Sequence, residues 1–295
     1  MKLQKRPGCP LCRSTKIIDF KKGTFDPGKI TSENFNITDS NYGATWPLSS
    51  CKACGFVFSN PYAGEEELTR FYSMIEDREY SSETEGRAKN FKTILRRLNK
   101  IRKPGNKLLD IGAASGIFLH LAEQEGYEIS GIEPSQFLVQ EAQRLFGIEL
   151  FQGTIADFRS PEKFAVITLL DILEHLPEPA EFMKQLDRFM LEDGIIVIVT
   201  PDINSFAARL TGRRWWHYRI AHVDFFNLAS LRYLLADCGY RIVLKKRYAW
   251  NFSLFYLVTR IFPSLKDKKA LQKILKRINF KLQLFDSWEI YARKK

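Results

Sequence analysis

Four of the five cysteines fall in two Cys-x-x-Cys pairs, Cys9/Cys12 and Cys51/Cys54. The two-residue spacing lets both sulfurs of a turn face one ion, so the pairs can offer four thiolates to a tetrahedral Zn²⁺. Four thiolates leave no open coordination position, so the expected ion is structural. The alternative is a metal-free pair of reactive dithiols. Gly55 frees the turn after the second pair, and Phe56-Val57-Phe58 reads as a strand. A second chemical set is the carboxylates Asp110 and Glu133, which flank a loop of small residues from Gly112 to Gly116. The third is the four histidines, His120, His175, His217 and His222, the side chains suited to proton transfer near neutral pH.

The elements that must position these groups alternate along the chain. Lys107–Ile111 is an apolar strand, Gly112–Gly116 a tight turn, and Ile117–Glu125 a helix. Strands are predicted at Tyr127–Glu133, Glu149–Gln152, Phe164–Leu170, Gly194–Thr200, Tyr240–Tyr248 and Ser287–Ala292, with helices at Ser135–Leu145, Glu178–Met190 and Leu228–Cys238. Phe164–Leu170 is continuously apolar, as a strand covered on both faces requires. The pattern predicts an α/β, doubly wound Rossmann-like, mostly parallel sheet of seven strands, with an N-terminal Cys₄ zinc-ribbon subdomain. Residues 1–62 form the ribbon and 63–295 the second domain. Within the latter, 63–104 reads as a helical cover over one end of the sheet, the sharper alternative being that Tyr72 or Tyr80 lids the ligand site, and 250–285 as a basic helical insertion before the last strand.

Composition is that of a globular chain, with 45% hydrophobic and 27% charged residues. No secretory leader and no apolar run of membrane-spanning length is seen, so cytoplasmic residence is expected. The net charge of +11 is uneven. Residues 239–295 carry fifteen Lys/Arg against three Asp/Glu, leaving the remainder near neutral.

The loop decides the ligand. A dinucleotide fingerprint would place glycines where Ala114 and Ile117 stand, and no Gly-Lys-Ser/Thr follows to make a phosphate loop. The pattern present is Asp-x-Gly-x-Ala-x-Gly, with Glu133 at the end of the second strand, where a carboxylate can accept both hydroxyls of a ribose. That set suits an adenosyl ligand without phosphates. The stretch Asp110–Gly116 resembles motif I of class I S-adenosylmethionine-dependent methyltransferases. The Cys pairs, Phe71-Tyr72, Asp171-Ile-Leu-Glu-His175 and Pro201-Asp202 make the chain similar to the branch with an N-terminal zinc ribbon.

The resemblance implies S-adenosylmethionine as cofactor. Gly112, Ala113, Ala114 and Gly116 would pack against its methionine part, with Asp110 near the ammonium. Glu133 would hold the ribose, Pro134 and Ser135 would flank the adenine, and Asp157 would accept from the adenine amino group. Leu170 and Asp171 would border the methionine and methyl. Ala114 stands where the family more often has glycine, and Ala165 where it often has Asp. Each carboxylate has a plainer reading: Glu133 as a solvated strand end, Asp157 as a turn cap, Asp171 as structural.

Methyl transfer is an in-line displacement that asks the protein to position a nucleophile and manage its proton. His222, His175, His217 and Asp171 are the candidate catalytic groups, while His120 reads as structural. The favoured function is transfer to a small molecule, sugar or lipid-linked glycan, with oxygen as acceptor atom. A nucleic-acid methyltransferase gripping phosphate with ribbon and tail is the first alternative. The confinement of charge to the tail and the lack of a base-flipping motif speak against it. A non-catalytic cofactor-binding scaffold is the second. The basic segment 264–285, with Leu271, Ile274, Ile278 and Leu282 among lysines and arginines, reads as an amphipathic helix. It would lie peripherally on an anionic inner-membrane surface, bind nucleic acid, or pack on the domain.

Overall fold

In the computed structural model, residues 3–38, 41–78, 80, 84–261, 265, 268, 275 and 278–295 are described. A seven-stranded sheet forms the centre. Its order across the sheet is Tyr240–Arg247, Ser287–Lys294, Met190–Pro201, Phe164–Leu170, Lys107–Ile111, Glu128–Glu133 and Phe151–Gln152. Neighbours from Met190–Pro201 to Phe151–Gln152 pair in parallel. Ser287–Lys294 is antiparallel to both of its neighbours. The seven-stranded, mostly parallel prediction therefore holds. Lys107–Ile111 lies between the second and fourth strands, so the strand order reverses there and opens a crevice at the carboxyl ends.

Local sequence explains the ends of the elements. Gln136–Phe146 begins where the Ser135 Oγ accepts from the Leu138 N–H, and ends at Gly147 with φ of 71°. Leu228–Asp237 begins with a reciprocal capping box between Asn227 and Ser230. The fifth strand is longer than the apolar run implied. Met190 pairs with Phe164, the chain bulges, and regular pairing resumes at Ile195. The third strand shrinks to Phe151–Gln152 at the sheet edge. The helical cover comprises Glu65–Ser73 and Thr84–Leu98.

The cysteine-bearing region builds a four-stranded antiparallel sheet. Its strands are Ile17–Lys21, Leu48–Cys51, Val57–Ser59 and, from far along the chain, Asp224–Phe225. The junction is buried. Arg6 pairs with Asp224 at 2.7 Å, and Trp46 Nε1–H donates to the Ile220 carbonyl at 2.7 Å.

The helical insertion at 250–285 is corrected in part. Trp250–Ser253 and Asn279–Leu282 are strands paired antiparallel, with the helix Leu254–Ile261 following the first. Phe252 and Phe280 face each other in this ribbon, so β-prone aromatics prevail over the helical spacing. Most of 264–277, including Leu271 and Ile274, lies outside the described residues. No helix among the described residues is long and apolar enough to cross a membrane.

Candidate active site and cysteine cluster

The loop after Lys107–Ile111 turns on left-handed backbone. Gly112 and Gly116 have φ of 71° and 77°. A Cβ on Gly112 would run into Cδ1 of Ile172. Ala114, between them, takes φ of 48°. This conformation costs a non-glycine residue roughly 1 kcal/mol. That is the physical meaning of the departure from glycine noted above. The Ala114 N–H is held by Glu133 Oε2 at 2.9 Å.

Glu133 is a clamp. Its other oxygen, Oε1, accepts from the Ser135 N–H at 2.9 Å, so the carboxylate ties the loop to the start of the next helix. Each oxygen keeps a second lone pair. Burial raises the Glu133 carboxyl to about 7, against the pull of these two N–H groups.

One cavity of about 1400 Å³ joins this crevice to the long connection after the fifth strand. Gly112, Ala114, Glu133, Pro134, Asp157, Leu170, Asp171, His175, His217 and His222 all line it. Asp110, Ala113, Gly116 and Ser135 do not. Asp110 lies under the loop, where Oδ1 accepts from the Thr168 hydroxyl at 2.5 Å. Burial raises its carboxyl to about 7. Ser135 caps its helix and donates to the Ile75 carbonyl. Asp157 accepts from both the N–H and the hydroxyl of Thr154, which hold its carboxyl below the usual range, so it is a turn cap as well as a wall residue. Asp171 has φ of 58°, and burial raises its carboxyl to about 7. His120 stands apart, stacked on Phe146.

The other three histidines form a row. His175 and His222 meet edge to face with centroids 4.8 Å apart, and His222 stacks on His217 at 6.0 Å. His222 Nδ1 donates to the His217 carbonyl at 2.8 Å. His175 Nδ1 lies 2.9 Å from the Ala221 carbonyl and 2.7 Å from the Tyr72 hydroxyl. A carbonyl only accepts, so Nδ1 carries the proton in His222. Around His175 the Tyr72 hydroxyl also donates to the Ala221 carbonyl, at 3.0 Å, and the ring has a further hydrogen bond to the Asp171 backbone. Burial pushes His175 down to about 4 and His222 well below its ordinary value. His217 differs. Its Nε2 faces Asp286 Oδ2 at 3.1 Å, and the same oxygen accepts from Trp216 Nε1–H at 2.8 Å.

Sequence reasoning did not single out Asp286, Arg87 or Arg219. Arg87 lines the cavity over the Tyr80 ring, with its guanidinium carbon 3.9 Å from the centroid, and its buried Nε has no hydrogen-bond partner among the described residues. Arg219 donates to the carbonyls of Asn36 and Ile37, pinning the segment that carries Phe35 and Ile37 over the cavity. None of the three sits in a motif; only topology brings them to the site.

The cysteines converge as well. One sulfur from each of Cys9, Cys12, Cys51 and Cys54 lies within 4.8 Å of the other three. Cys9 Sγ is 3.6 Å from Cys54 Sγ, and Cys12 Sγ is 3.5 Å from Cys51 Sγ. These separations are far beyond a disulfide bond. They approach the edge of roughly 3.8 Å that a tetrahedral ZnS₄ site requires.

The reversed strand order, the left-handed loop and the clamping carboxylate define the class I methyltransferase fold. A family profile described as "Methyltransferase domain" matches residues 83–245, and the chain belongs to that family. A solved S-adenosylmethionine-dependent methyltransferase from Archaeoglobus fulgidus shares the fold with a TM-score of 0.51 at 21% identity, covering 74% of this chain and 100% of that one. Ubiquinone biosynthesis O-methyltransferases also match. That of Haemophilus ducreyi is 31% identical over 107 residues, 32% of this chain and 45% of its own length. That of Pseudomonas aeruginosa is 31% identical over 113 residues, 35% of this chain and 47% of its own. The chain spans about half the length of the curated relatives it matches.

Proposed function

We propose that this chain is an S-adenosylmethionine-dependent methyltransferase that methylates an oxygen of a small-molecule, sugar or lipid-linked acceptor. One observation carries the reading: a single cavity runs from the Gly112–Glu133 crevice to the His217–Asp286 pair. The names of the O-methyltransferase relatives support oxygen as acceptor atom.

The cofactor residues fit an adenosyl group with an amino-acid tail. Glu133 keeps lone pairs for ribose hydroxyls, Pro134 and Asp157 offer walls for the adenine, and the unpartnered Nε of Arg87 suits the carboxylate of the tail. S-adenosylmethionine, when bound, supplies an activated methyl whose transfer leaves a neutral thioether. The protein then has to orient the acceptor and take its proton. With Nε2–H given to Asp286, His217 presents Nδ1 as base, and the buried carboxylate stabilises the imidazolium that forms. His175 and His222 are poor bases for this step, since burial holds both neutral. Four thiolates at the separations above suit a structural Zn²⁺ that fixes the ribbon.

A lipid-linked acceptor gains support from an exposed apolar pair that precedes the cavity-lining Arg214 in the chain. Phe206 and Leu210 are 75% and 74% exposed, with Arg209, Arg213 and the cavity-lining Arg214 close by in the chain. Apolar side chains set among arginines suit an anionic interface. The deciding experiment is calorimetry with S-adenosylhomocysteine, followed by transfer of labelled methyl to a panel of phenols, sugars and polyprenyl-linked acceptors. Micromolar binding together with label on oxygen is the expected result. Absence of S-adenosylhomocysteine binding would sink the reading.

A further inference from the structure

Behind the row of histidines lies a group that the base mechanism does not use. Glu174, His175 and His222 each offer one ligand atom, and these atoms lie within 4.8 Å of one another. All three residues line the cavity. We propose that they form a binding site for a first-row divalent transition cation, separate from the cysteine cluster.

The supporting contacts argue for a metal more than for a satisfied polar core. Metal-bound imidazoles characteristically give their other ring N–H to a backbone carbonyl or a carboxylate, and bound carboxylates are themselves hydrogen-bonded. His222 gives Nδ1–H to the His217 carbonyl, and His175 Nδ1 sits between the Ala221 carbonyl at 2.9 Å and the Tyr72 hydroxyl at 2.7 Å. Glu174 Oε2 accepts from the Thr200 hydroxyl at 2.9 Å. Glu174 is only 2% exposed.

The backbone holds the three ligands firmly. The Glu174 carbonyl accepts from the Val223 N–H at 2.9 Å, locking the turn that carries Glu174 and His175 against the residue next to His222. Two imidazoles and one carboxylate select a transition cation over Mg²⁺ or Ca²⁺, and three protein ligands leave positions open toward the cavity. On the methyltransferase reading, those positions would receive an acceptor oxygen. Its proton passes to His217 Nδ1, its lone pair forms the new C–O bond, and the C–S pair returns to the thioether sulfur. An acceptor with two adjacent oxygens, such as a vicinal diol or catechol, would chelate the ion.

The test uses full-length protein with its cysteine cluster zinc-loaded. Mn²⁺ is titrated and followed by electron paramagnetic resonance, with S-adenosylhomocysteine calorimetry on the same samples. We expect one Mn²⁺ per chain in the wild type. Mn²⁺ affinity should fall at least about tenfold in both Glu174→Gln and His222→Gln, with zinc content unchanged. His222→Gln backs up Glu174→Gln should the latter fail to fold. Absence of Mn²⁺ binding, or equal affinity in a folded variant, overturns the cation site. Normal S-adenosylhomocysteine binding in that case leaves the methyltransferase reading standing. Loss of S-adenosylhomocysteine binding by the wild type with Mn²⁺ bound would remove that reading instead, and keep the ion.

Discussion

Asp286 and His217 lie 69 residues apart in sequence and meet through a 3.1 Å contact in which the fully buried carboxylate orients the ring. Asp286 Oδ2 serves both this ring and the Trp216 indole, so it fixes the ring's tautomer and its plane together. Replacing Asp286 with Asn should therefore act through His217. We expect kcat to fall roughly 10²-fold with S-adenosylhomocysteine affinity unchanged, and the alkaline-rising limb of the pH–rate profile to move. His217→Asn should lower kcat by a similar factor. A rise in KM with kcat unchanged would mean the pair only shapes the pocket.

Glu133 sets the pH dependence of cofactor binding. Burial holds its carboxyl at about 7 in the free protein, well above the ordinary 4.5. A ligand that needs the ionised form should bind more tightly as pH rises from 6 to 8, by up to about tenfold per unit below 7, and level off above it. The sign reverses for the free protein. A raised carboxyl contributes stability that is complete below pH 4.5 and is lost as pH rises through 7. The stabilisation of Tm by S-adenosylhomocysteine should therefore grow with pH across this range. Glu133→Gln should weaken binding by roughly 10–100-fold and flatten the pH response, as read by calorimetry in two buffers.

Gly112 combines a left-handed backbone with a close neighbour. Gly112→Ala adds a methyl group against Ile172 at a left-handed φ, and should abolish measurable S-adenosylhomocysteine binding. Ala114→Gly removes a left-handed alanine and should leave binding within about twofold, because the Glu133 contact uses the backbone N–H. A large loss from Ala114→Gly would show that the methyl itself is needed.

Much of this site was legible in the sequence, for physical reasons. The loop, Glu133 and the cysteine pairs lie in short stretches where spacing encodes geometry, and the structure brings the loop to Glu133 and the four cysteines to one another. Asp110 sat in the same stretch but turned under the loop, because strand alternation points it at Thr168. His217 and His222 were recognisable as chemistry, but their different roles depend on Asp286, which lies on the far side of the basic segment. Glu174 stands in the sequence only as a member of the Asp171–His175 motif, and His222 follows it 48 residues later with no spacing rule to connect them. The 250–285 region misled because Trp250, Phe252 and Phe280 pair across a ribbon that local periodicity does not reveal.

Metal at the cysteine cluster should be measurable without activity. We expect one zinc per chain by native mass spectrometry, lost on mercurial titration together with a fall in Tm. Cys51→Ser should reproduce the fall. An unchanged Tm with zinc removed would reduce the cluster to a surface ornament of the fold.

Membrane contact is tested on the exposed pair. Co-sedimentation with anionic vesicles at low salt should be lost in a Phe206→Ser/Leu210→Ser double variant, with S-adenosylhomocysteine binding retained. Sedimentation that is the same for both proteins would move the contact to the basic segment, and none for either would remove the membrane from the account.

The strand Asp224–Phe225 completes the sheet that begins at Ile17, with Arg6 locked to Asp224 beneath it. The chain thus crosses from one region to the other and back within a few residues of His222. The N-terminal ribbon consequently cannot be exchanged between relatives like a cartridge. A chimera that swaps residues 1–62 alone would import a sheet missing its edge partner and an arginine missing its counter-ion. The unit that can be inherited, transplanted or engineered intact is the ribbon together with residues 218–226, so any drift in the ribbon will be felt as a change in how the histidine row is held.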